Sequence, residues 1–203
     1  MPRGRKRQFD RQEVVERAAE IFWEQGYAAT GITELVEHLG IGRQSLYNTY
    51  GDKRSLYLEA LRFYFDGRVR LAREIFDRPG PRLERLGELL VAIVEADTAC
   101  GHPGCLLGNT LAEFGARDPG IEETVGLYLD RFRGLMQDLL EEAQRLGELA
   151  EEASPADLAR SLLVMSQGLL LLNQNQRLRD SGVGEAVLHT ATAMMRPDRS
   201  GGS

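Results

Sequence analysis

Residues 26–57 read GYAATGITELVEHLGIGRQSLYNTYGDKRSLY. Two short stretches, 34–39 and 42–50, space their apolar residues as helices do, and Gly40 between them suits a tight turn. The second stretch places four exposed polar or aromatic side chains opposite its inward Leu46: Arg43, Gln44, Tyr47 and Asn48. The pattern predicts a helix-turn-helix, in which a short helix packs one face on its own domain and offers the other to a DNA groove.

The residues before this segment predict a supporting helix. Asp10 can cap a helix that runs to Gln25, with Glu13 completing a box-like pair, and Gly26 ends it. Thr33 can cap the second helix, whose first amides can hold a DNA phosphate.

The third helix carries the residues most suited to reading bases. Arg43 and Gln44 lie near its N-terminal end, and their side chains pair bidentately with guanine and adenine, respectively. Tyr47 and Asn48 offer donors for phosphate or base contacts, and Lys53 offers a positive charge beside the DNA backbone. The alternative for each of these side chains is plain solvation.

Charge is distributed unevenly along the 203 residues, whose net charge is -6. Residues 1–55 hold 9 Lys and Arg against 8 Asp and Glu, and the remainder holds 16 against 23. The first eight residues, MPRGRKRQ, are basic and include Arg5 and Lys6, so we expect an arm that contacts phosphates or enters a minor groove. A disordered, solubilising tail is the alternative.

The rest of the chain predicts helices throughout, so the fold class is all-α with about nine helices. The predicted helices after the head cover residues 52–76, 82–99, 105–115, 121–149, 154–179 and 184–195. Breaks between them carry Pro, Gly and Ser, as in Pro79-Gly80-Pro81.

The longest apolar run, residues 162–172, is interrupted by Ser166, Gln167 and Gly168 and is too short to cross a bilayer. With no export signal and only two cysteines, we expect reduced thiols, a cytoplasmic location and no membrane partner. The run is apolar nearly all round and therefore needs burial on more than one side. We expect a homodimer through helices eight and nine, and burial inside one monomer is the alternative.

The stretch AAEIFWEQGYAATGITELVEHLGIGRQSLYNTYGDKRSLYLEAL, residues 18–61, resembles the N-terminal signature of TetR-type transcriptional regulators. The family often has histidine where this chain has Asn48, and Gly51 also departs from the usual residue. The resemblance implies a helix-turn-helix domain with its basic arm over residues 1–51, an effector-binding and dimerisation domain over 52–196, and a disordered tail over 197–203. It further implies that Thr33, Tyr47 and Lys53 are phosphate contacts and that Arg43 and Gln44 read bases.

A second informative segment, CGHPGCLLGNTLAEFGARDP, covers residues 100–119. Cys105 falls at or just before the predicted start of helix six, where the helix macrodipole favours a reactive thiolate, and a charged His102 would add to this effect. The part GCLLGNTLAEF is similar to the electrophile-responsive, NemR-like subgroup of the TetR family. That resemblance implies that Cys105 senses electrophiles.

Several other interpretations of this segment stay open. Cys105 can be a small buried residue, can pair with Cys100, or can join Cys100 and His102 in a metal site. A non-covalent apolar effector among helices four to seven is a further possibility. The candidate effector residues are Cys105, His102, Asn109, Phe114, Phe63, Tyr128 and Phe132.

An enzyme that uses Cys105 and His102 as nucleophile and base is disfavoured, because no acid is placed to orient His102. No motif that cradles a phosphate or holds a metal is present, so we expect no cofactor. A helix-turn-helix that binds only protein is a third possibility. We predict a dimeric repressor of a palindromic double-stranded DNA operator. It is released by a small-molecule effector of unknown identity, or by modification of Cys105, through a shift coupled to helix four.

Overall fold

The computed structural model describes residues 10–99 and 104–172, together with Gly182 and Ala186. Within these residues the chain forms eight α-helices and no strand, which confirms the predicted all-α class. In chain order the helices are α1 (Arg11–Gln25), α2 (Ile32–Leu39), α3 (Arg43–Tyr50), α4 (Lys53–Phe76), α5 (Arg82–Ala99), α6 (Leu106–Phe114), α7 (Pro119–Arg145) and α8 (Pro155–Leu172).

The first three helices form the predicted helix-turn-helix head. Asp10 caps α1 by accepting a hydrogen bond from the Gln12 amide at 2.8 Å, as predicted, and Gly26 ends the helix. Gly40 takes the left-handed conformation between α2 and α3, with φ 66° and ψ 24°. This conformation is free of steric cost for glycine, so the turn is encoded locally.

A continuous apolar core joins the head to the helical body. Its fully buried members include Phe22 in α1, Leu46 in α3, Tyr57 in α4 and Phe132 in α7. The long helix α4 packs on α1, α5 and α7. Because α4 belongs to both parts, the packing of the body bears directly on the orientation of the head.

Two predicted helix starts are corrected by the structure. Helix α2 begins at Ile32 with Gly31 as its N-cap, so Thr33 lies inside the first turn and does not cap the helix. Helix α7 begins at Pro119, two residues before the predicted start, because Asp118 accepts hydrogen bonds from the next free amides. Proline has no amide hydrogen and is favoured at the first helical position, so it starts this helix and does not prevent it.

The end of α7 also differs from the prediction, whereas the start of α6 agrees with it. Helix α7 ends at Arg145 because Gly147 takes a φ of 73° and the Glu148 amide donates back to the Ala143 carbonyl. This is the glycine-dependent way in which many helices terminate. Helix α6 begins at Leu106, and Cys105 is its N-cap residue.

The predicted final part of helix eight (173–179), most of helix nine (184–195) and the tail (197–203) lie outside the described residues. Of this region the structure gives one hydrogen bond, from the Ala186 amide to the Gly182 carbonyl. The domain boundary between residues 51 and 52 stays a prediction. No helix in the described part of the chain is long and apolar enough to cross a membrane.

Candidate functional site

Helix α3 presents two distinct faces. Its inner face is fixed by Leu46, which is fully buried, and by Tyr50, whose hydroxyl donates a hydrogen bond to the Arg11 carbonyl at 3.3 Å. The helix is therefore held against α1, and its other face is left free to meet a ligand.

The outer face carries the four predicted DNA-contacting side chains, all of them exposed. The guanidinium carbon of Arg43 lies 5.9 Å from the ring centroid of Tyr47, and the Gln44 side-chain amide donates to the Asn48 side-chain carbonyl at 2.9 Å. These are two i,i+4 pairs on one surface. Such pairing limits rotation of each side chain while leaving donors and acceptors for base edges.

The beginnings of α2 and α3 complement this surface. The N-cap residues Gly31 and Gly42 have no side chain, and no side-chain cap bonds to either helix start in the part of the chain that the structure describes. The first amides of each helix are thus open to an external acceptor, and helix N-termini attract phosphate. Thr33 is exposed on the first turn of α2, where its hydroxyl can join such a contact.

Lys53 lies in a less open position than the other predicted DNA contacts. Its ammonium nitrogen is 4.1 Å from the centroid of the Tyr27 ring and donates a hydrogen bond to the Tyr27 carbonyl. Burial lowers the pKa of Lys53. The residue therefore ties the start of α4 to the α1–α2 loop, and its contact with phosphate stays a prediction. Arg5 and Lys6 of the basic arm lie outside the described residues.

A salt bridge joins α4 to the start of α7. The Arg54 guanidinium makes two hydrogen bonds to the Asp118 carboxylate, at 2.7 and 2.5 Å. This bidentate arrangement, the strongest geometry for such a pair, lowers the pKa of Asp118 from 3.8 to about 2. The same carboxylate accepts hydrogen bonds from the amides of Gly120 and Ile121, both at 3.1 Å, so one side chain caps α7 and holds α4.

This pKa shift predicts a defined dependence of stability on pH. A folded-state pKa below the unfolded value means that ionised Asp118 stabilises the fold, that this contribution is complete above pH 3.8, and that it is lost as pH falls towards 2. We expect Asp118→Asn, which keeps a good N-cap residue, to lose less stability than wild type across this window. Urea unfolding at a series of pH values measures the difference, and equal losses in both proteins would contradict the assignment.

Cys105, the N-cap residue of α6, is a free thiol that is only 5% exposed. The Tyr64 hydroxyl donates a hydrogen bond to the Cys105 sulfur at 3.7 Å. The thiol in turn donates to the side-chain carbonyl oxygen of Gln167 at 3.8 Å. Burial raises the pKa of Tyr64 well above its usual value, so this hydroxyl stays protonated. The thiol is thus enclosed by two polar partners from α4 and α8.

One side of Cys105 borders a groove of about 520 Å³ between α6, α7 and α8. A volume of this order is typical of small-molecule sites. The lining is mostly apolar and includes Leu107, Leu111, Leu129 and Leu163, with Gln167 and Cys105 among its few polar groups. A small hydrophobic molecule that enters the groove would contact Cys105.

The other predicted effector residues are placed differently. Phe114 contacts Tyr27 and Tyr57 beside the head, and Tyr128 stacks on Phe65 with 4.1 Å between ring centroids. Phe63 packs partly buried against the core, Phe132 is fully buried, and Asn109 is half-buried on α6. His102 and Cys100 lie outside the described residues. Of the predicted effector residues that the structure describes, only Cys105 lines the groove.

Sequence reasoning missed the two residues that hydrogen-bond the thiol, Tyr64 and Gln167. A signal for Gln167 was present, because it interrupts the apolar run 162–172 where a buried helix would otherwise continue. No group of three or more metal-ligating side chains occurs among the residues described. The predicted metal alternative depends on Cys100 and His102, which are not among them.

Two family profiles match the chain. Residues 14–60 match bacterial regulatory proteins of the tetR family, and residues 79–189 match the tetracyclin repressor-like C-terminal domain. The uncharacterized HTH-type transcriptional regulator YezE of Bacillus subtilis is 34% identical over 168 residues, which cover 78% of this chain and 83% of YezE. The HTH-type transcriptional repressor ComR of Escherichia coli is 27% identical over 169 residues, which cover 82% of this chain and 80% of ComR.

Solved structures agree with these matches. A cysteine variant of the TetR family regulator CifR, complexed with 26-bp double-strand operator DNA, superposes with a TM-score of 0.78 at 27% identity, covering 91% of this chain and 98% of CifR. The reduced form of Escherichia coli NemR superposes with a TM-score of 0.80 over 93% of this chain and 98% of NemR, and at 17% identity it shows the shared fold alone. The chain therefore belongs to the TetR family of DNA-binding transcriptional regulators, which are not enzymes.

Proposed function

We propose that this protein is a cytoplasmic repressor that binds a palindromic operator as a homodimer and leaves it when an effector acts near Cys105. The observation that carries the DNA-binding part is the outer face of α3, where two side-chain pairs stand exposed on a helix whose inner face is locked. The repressors among its relatives, such as ComR, and the operator complex of CifR support this function.

The proposed dimer contact uses helix eight together with the predicted helix nine. The outer surface of α8 exposes large apolar side chains, among them Val164 at 71% and Leu171 at 61%. Both also line the groove beside Cys105, so in the proposed dimer the partner chain would cover that side of the groove. An exposed apolar stripe on a helix is typical of a surface that another chain covers. Two-fold symmetry would then set the two recognition helices about one turn of DNA, ~34 Å, apart.

Selection of duplexes from a random pool tests the DNA-binding part. We expect enrichment of a palindromic sequence that binds two protein chains, with affinity that falls steeply as salt rises because Lys and Arg displace counterions from phosphates. Fluorescence anisotropy with the selected duplex and with a scrambled duplex measures specific and non-specific binding. Failure to enrich any sequence would count against the function as proposed.

The proposed release mechanism is modification of Cys105 by an electrophile. The thiol lies at the N-terminus of α6 and borders the groove between α6, α7 and α8. Addition to this sulfur would place new atoms where Gln167 and Tyr64 now contact it, and the surrounding helices would have to move apart. Such a change favours a second conformation of the body, which has a lower affinity for the operator.

A non-covalent apolar ligand is the second candidate effector. The groove is mostly apolar, and the 5% exposure of Cys105 is typical of a structural cysteine. In this alternative the ligand occupies the groove, and Cys105 contributes only packing and its weak hydrogen bonds.

Treatment with N-ethylmaleimide separates these two effectors. The Cys105 sulfur would add to the maleimide double bond, forming a carbon–sulfur bond, while the thiol proton ends on the neighbouring ring carbon. We expect operator affinity to fall about tenfold in wild type, within the usual range of coupling between two sites. Cys105→Ser should keep its affinity, and the matched variant Cys100→Ser should still respond. Unchanged binding of alkylated wild type would favour the non-covalent ligand.

A further inference from the structure

Helix α6 is attached to the head at both of its ends. At the start, the indole nitrogen of Trp23 in α1 donates a hydrogen bond to the carbonyl of Gly104, the residue before Cys105. At the end, the Glu113 carboxylate accepts one hydrogen bond from the Tyr27 amide, at 2.9 Å, and another from the Ala28 amide. Helix α6, which begins next to the thiol, is therefore hydrogen-bonded near its other end to the backbone of the α1–α2 loop.

Further contacts near the C-terminal end of α6 join it to α4 and to the α1–α2 loop. The hydroxyl groups of Thr110 in α6 and Tyr57 in α4 are hydrogen-bonded at 2.8 Å. The ring of Phe114 stacks on Tyr57 at 5.5 Å and contacts Tyr27 at 5.1 Å. A displacement of α6 would therefore act on the α1–α2 loop as well as on α4.

The two amides bound by Glu113 belong to the loop that leads into α2 and then α3. Hydrogen bonds from backbone amides to an ionised carboxylate are stronger than those between neutral groups. We propose that Glu113 is a positioning residue whose carboxylate fixes the α1–α2 loop, and with it the orientation of the recognition helix relative to the body. We also infer that modification of Cys105 lowers operator affinity through α6 and Glu113, an inference that rests on the proposed function.

The substitution Glu113→Gln tests the positioning role. Each carboxylate oxygen accepts from one amide, so glutamine would turn an NH₂ group towards one of them and place donor against donor. We expect operator binding about tenfold weaker, in the usual range of coupling, and faster hydrogen exchange at the Tyr27 and Ala28 amides. Glu20→Gln, which removes the same charge from an exposed position on α1, is the matched control and should match wild type in both measurements.

A second variant keeps the test decisive if Glu113→Gln folds poorly. Glu113→Asp retains the charge and draws the carboxylate back by one methylene, so it should also weaken operator binding. Wild-type affinity in either folded variant would overturn the proposal, as would unchanged exchange at both amides. A loss of affinity confined to the two Glu113 variants, with faster exchange at this loop, would support it.

Trp23 is the sole tryptophan of the chain and gives a direct signal from the thiol end of α6. We expect N-ethylmaleimide to change the Trp23 emission in wild type but not in Cys105→Ser. If the signal passes through Glu113, alkylation should weaken operator binding less in Glu113→Gln than in wild type, because that contact is already broken. If alkylation weakened operator binding as much in Glu113→Gln as in wild type, the proposed route would be overturned. If alkylation did not weaken operator binding in wild type, the thiol mechanism would be refuted, and the positioning role of Glu113 would still be tested by the variants above.

Discussion

Phe22→Ala is expected to unfold with a free energy of unfolding about 3 to 5 kcal/mol below that of wild type, the usual cost of removing a buried aromatic ring. Phe22 is fully buried, and its ring meets that of Tyr57 edge to face with 4.9 Å between centroids. Since Tyr57 belongs to α4, the cavity would open where the head joins the body. A loss of this size is a large part of the stability of an ordinary domain.

Urea unfolding followed by circular dichroism measures this difference. Leu127→Ala is the matched control, because it also removes a large apolar side chain but from a site that is 65% exposed. We expect the control to change stability by less than about 0.5 kcal/mol, as most surface substitutions do. Similar values for the two variants would show that Phe22 is not part of a tightly packed junction.

Arg43→Ala is expected to lose about 1 to 3 kcal/mol of binding free energy on the selected operator and to relax its specificity at one base-pair position. The guanidinium is exposed on the outer face of α3 and lies over the Tyr47 ring, which limits the orientations it samples. Removing it takes away a bidentate donor, and the loss should be small on duplexes that lack the matching base. Titration against the operator and its single-base variants measures the pattern.

Lys53→Ala is the informative comparison, because it should weaken binding to all sequences and lower the slope of affinity against salt. It also removes the contact between Lys53 and the Tyr27 carbonyl, so part of its effect would come from the loop. Arg70→Ala, at an exposed position far along α4, controls for the general loss of one positive charge. If Arg43→Ala and Lys53→Ala lost equal affinity on every duplex, Arg43 would not be a base-reading residue.

Features encoded within a few residues were predictable from the sequence. Asp10 as a helix cap, Gly40 as the turn and Leu46 as the buried side of α3 were all predicted and are all present. Each can be inferred from residues less than about two helical turns away, because apolar spacing and capping preferences are local patterns. The same rules placed Arg43 on the outer face of α3.

Errors occurred where two local signals competed. Thr33 and Gly31 are about equally suited to an N-cap position. Helix α2 nevertheless begins at Ile32, because the amide of the buried Leu35 donates a hydrogen bond to the Gly31 carbonyl at 2.9 Å. Pro119 falls in the gap between the predicted helices 105–115 and 121–149, whereas the cap supplied by Asp118 makes it the first residue of α7. Local preferences are weak, and tertiary packing decides between them.

By itself, the sequence determined that the chain is all-α, that its head is a helix-turn-helix and which four side chains face away from it. Only the tertiary structure decided what surrounds the thiol and what holds the head. Cys105 meets a glutamine 62 residues away, and Glu113 binds amides 85 and 86 residues before it. Contacts over such separations arise when whole helices pack to bury their apolar faces, so no local pattern of residues specifies them.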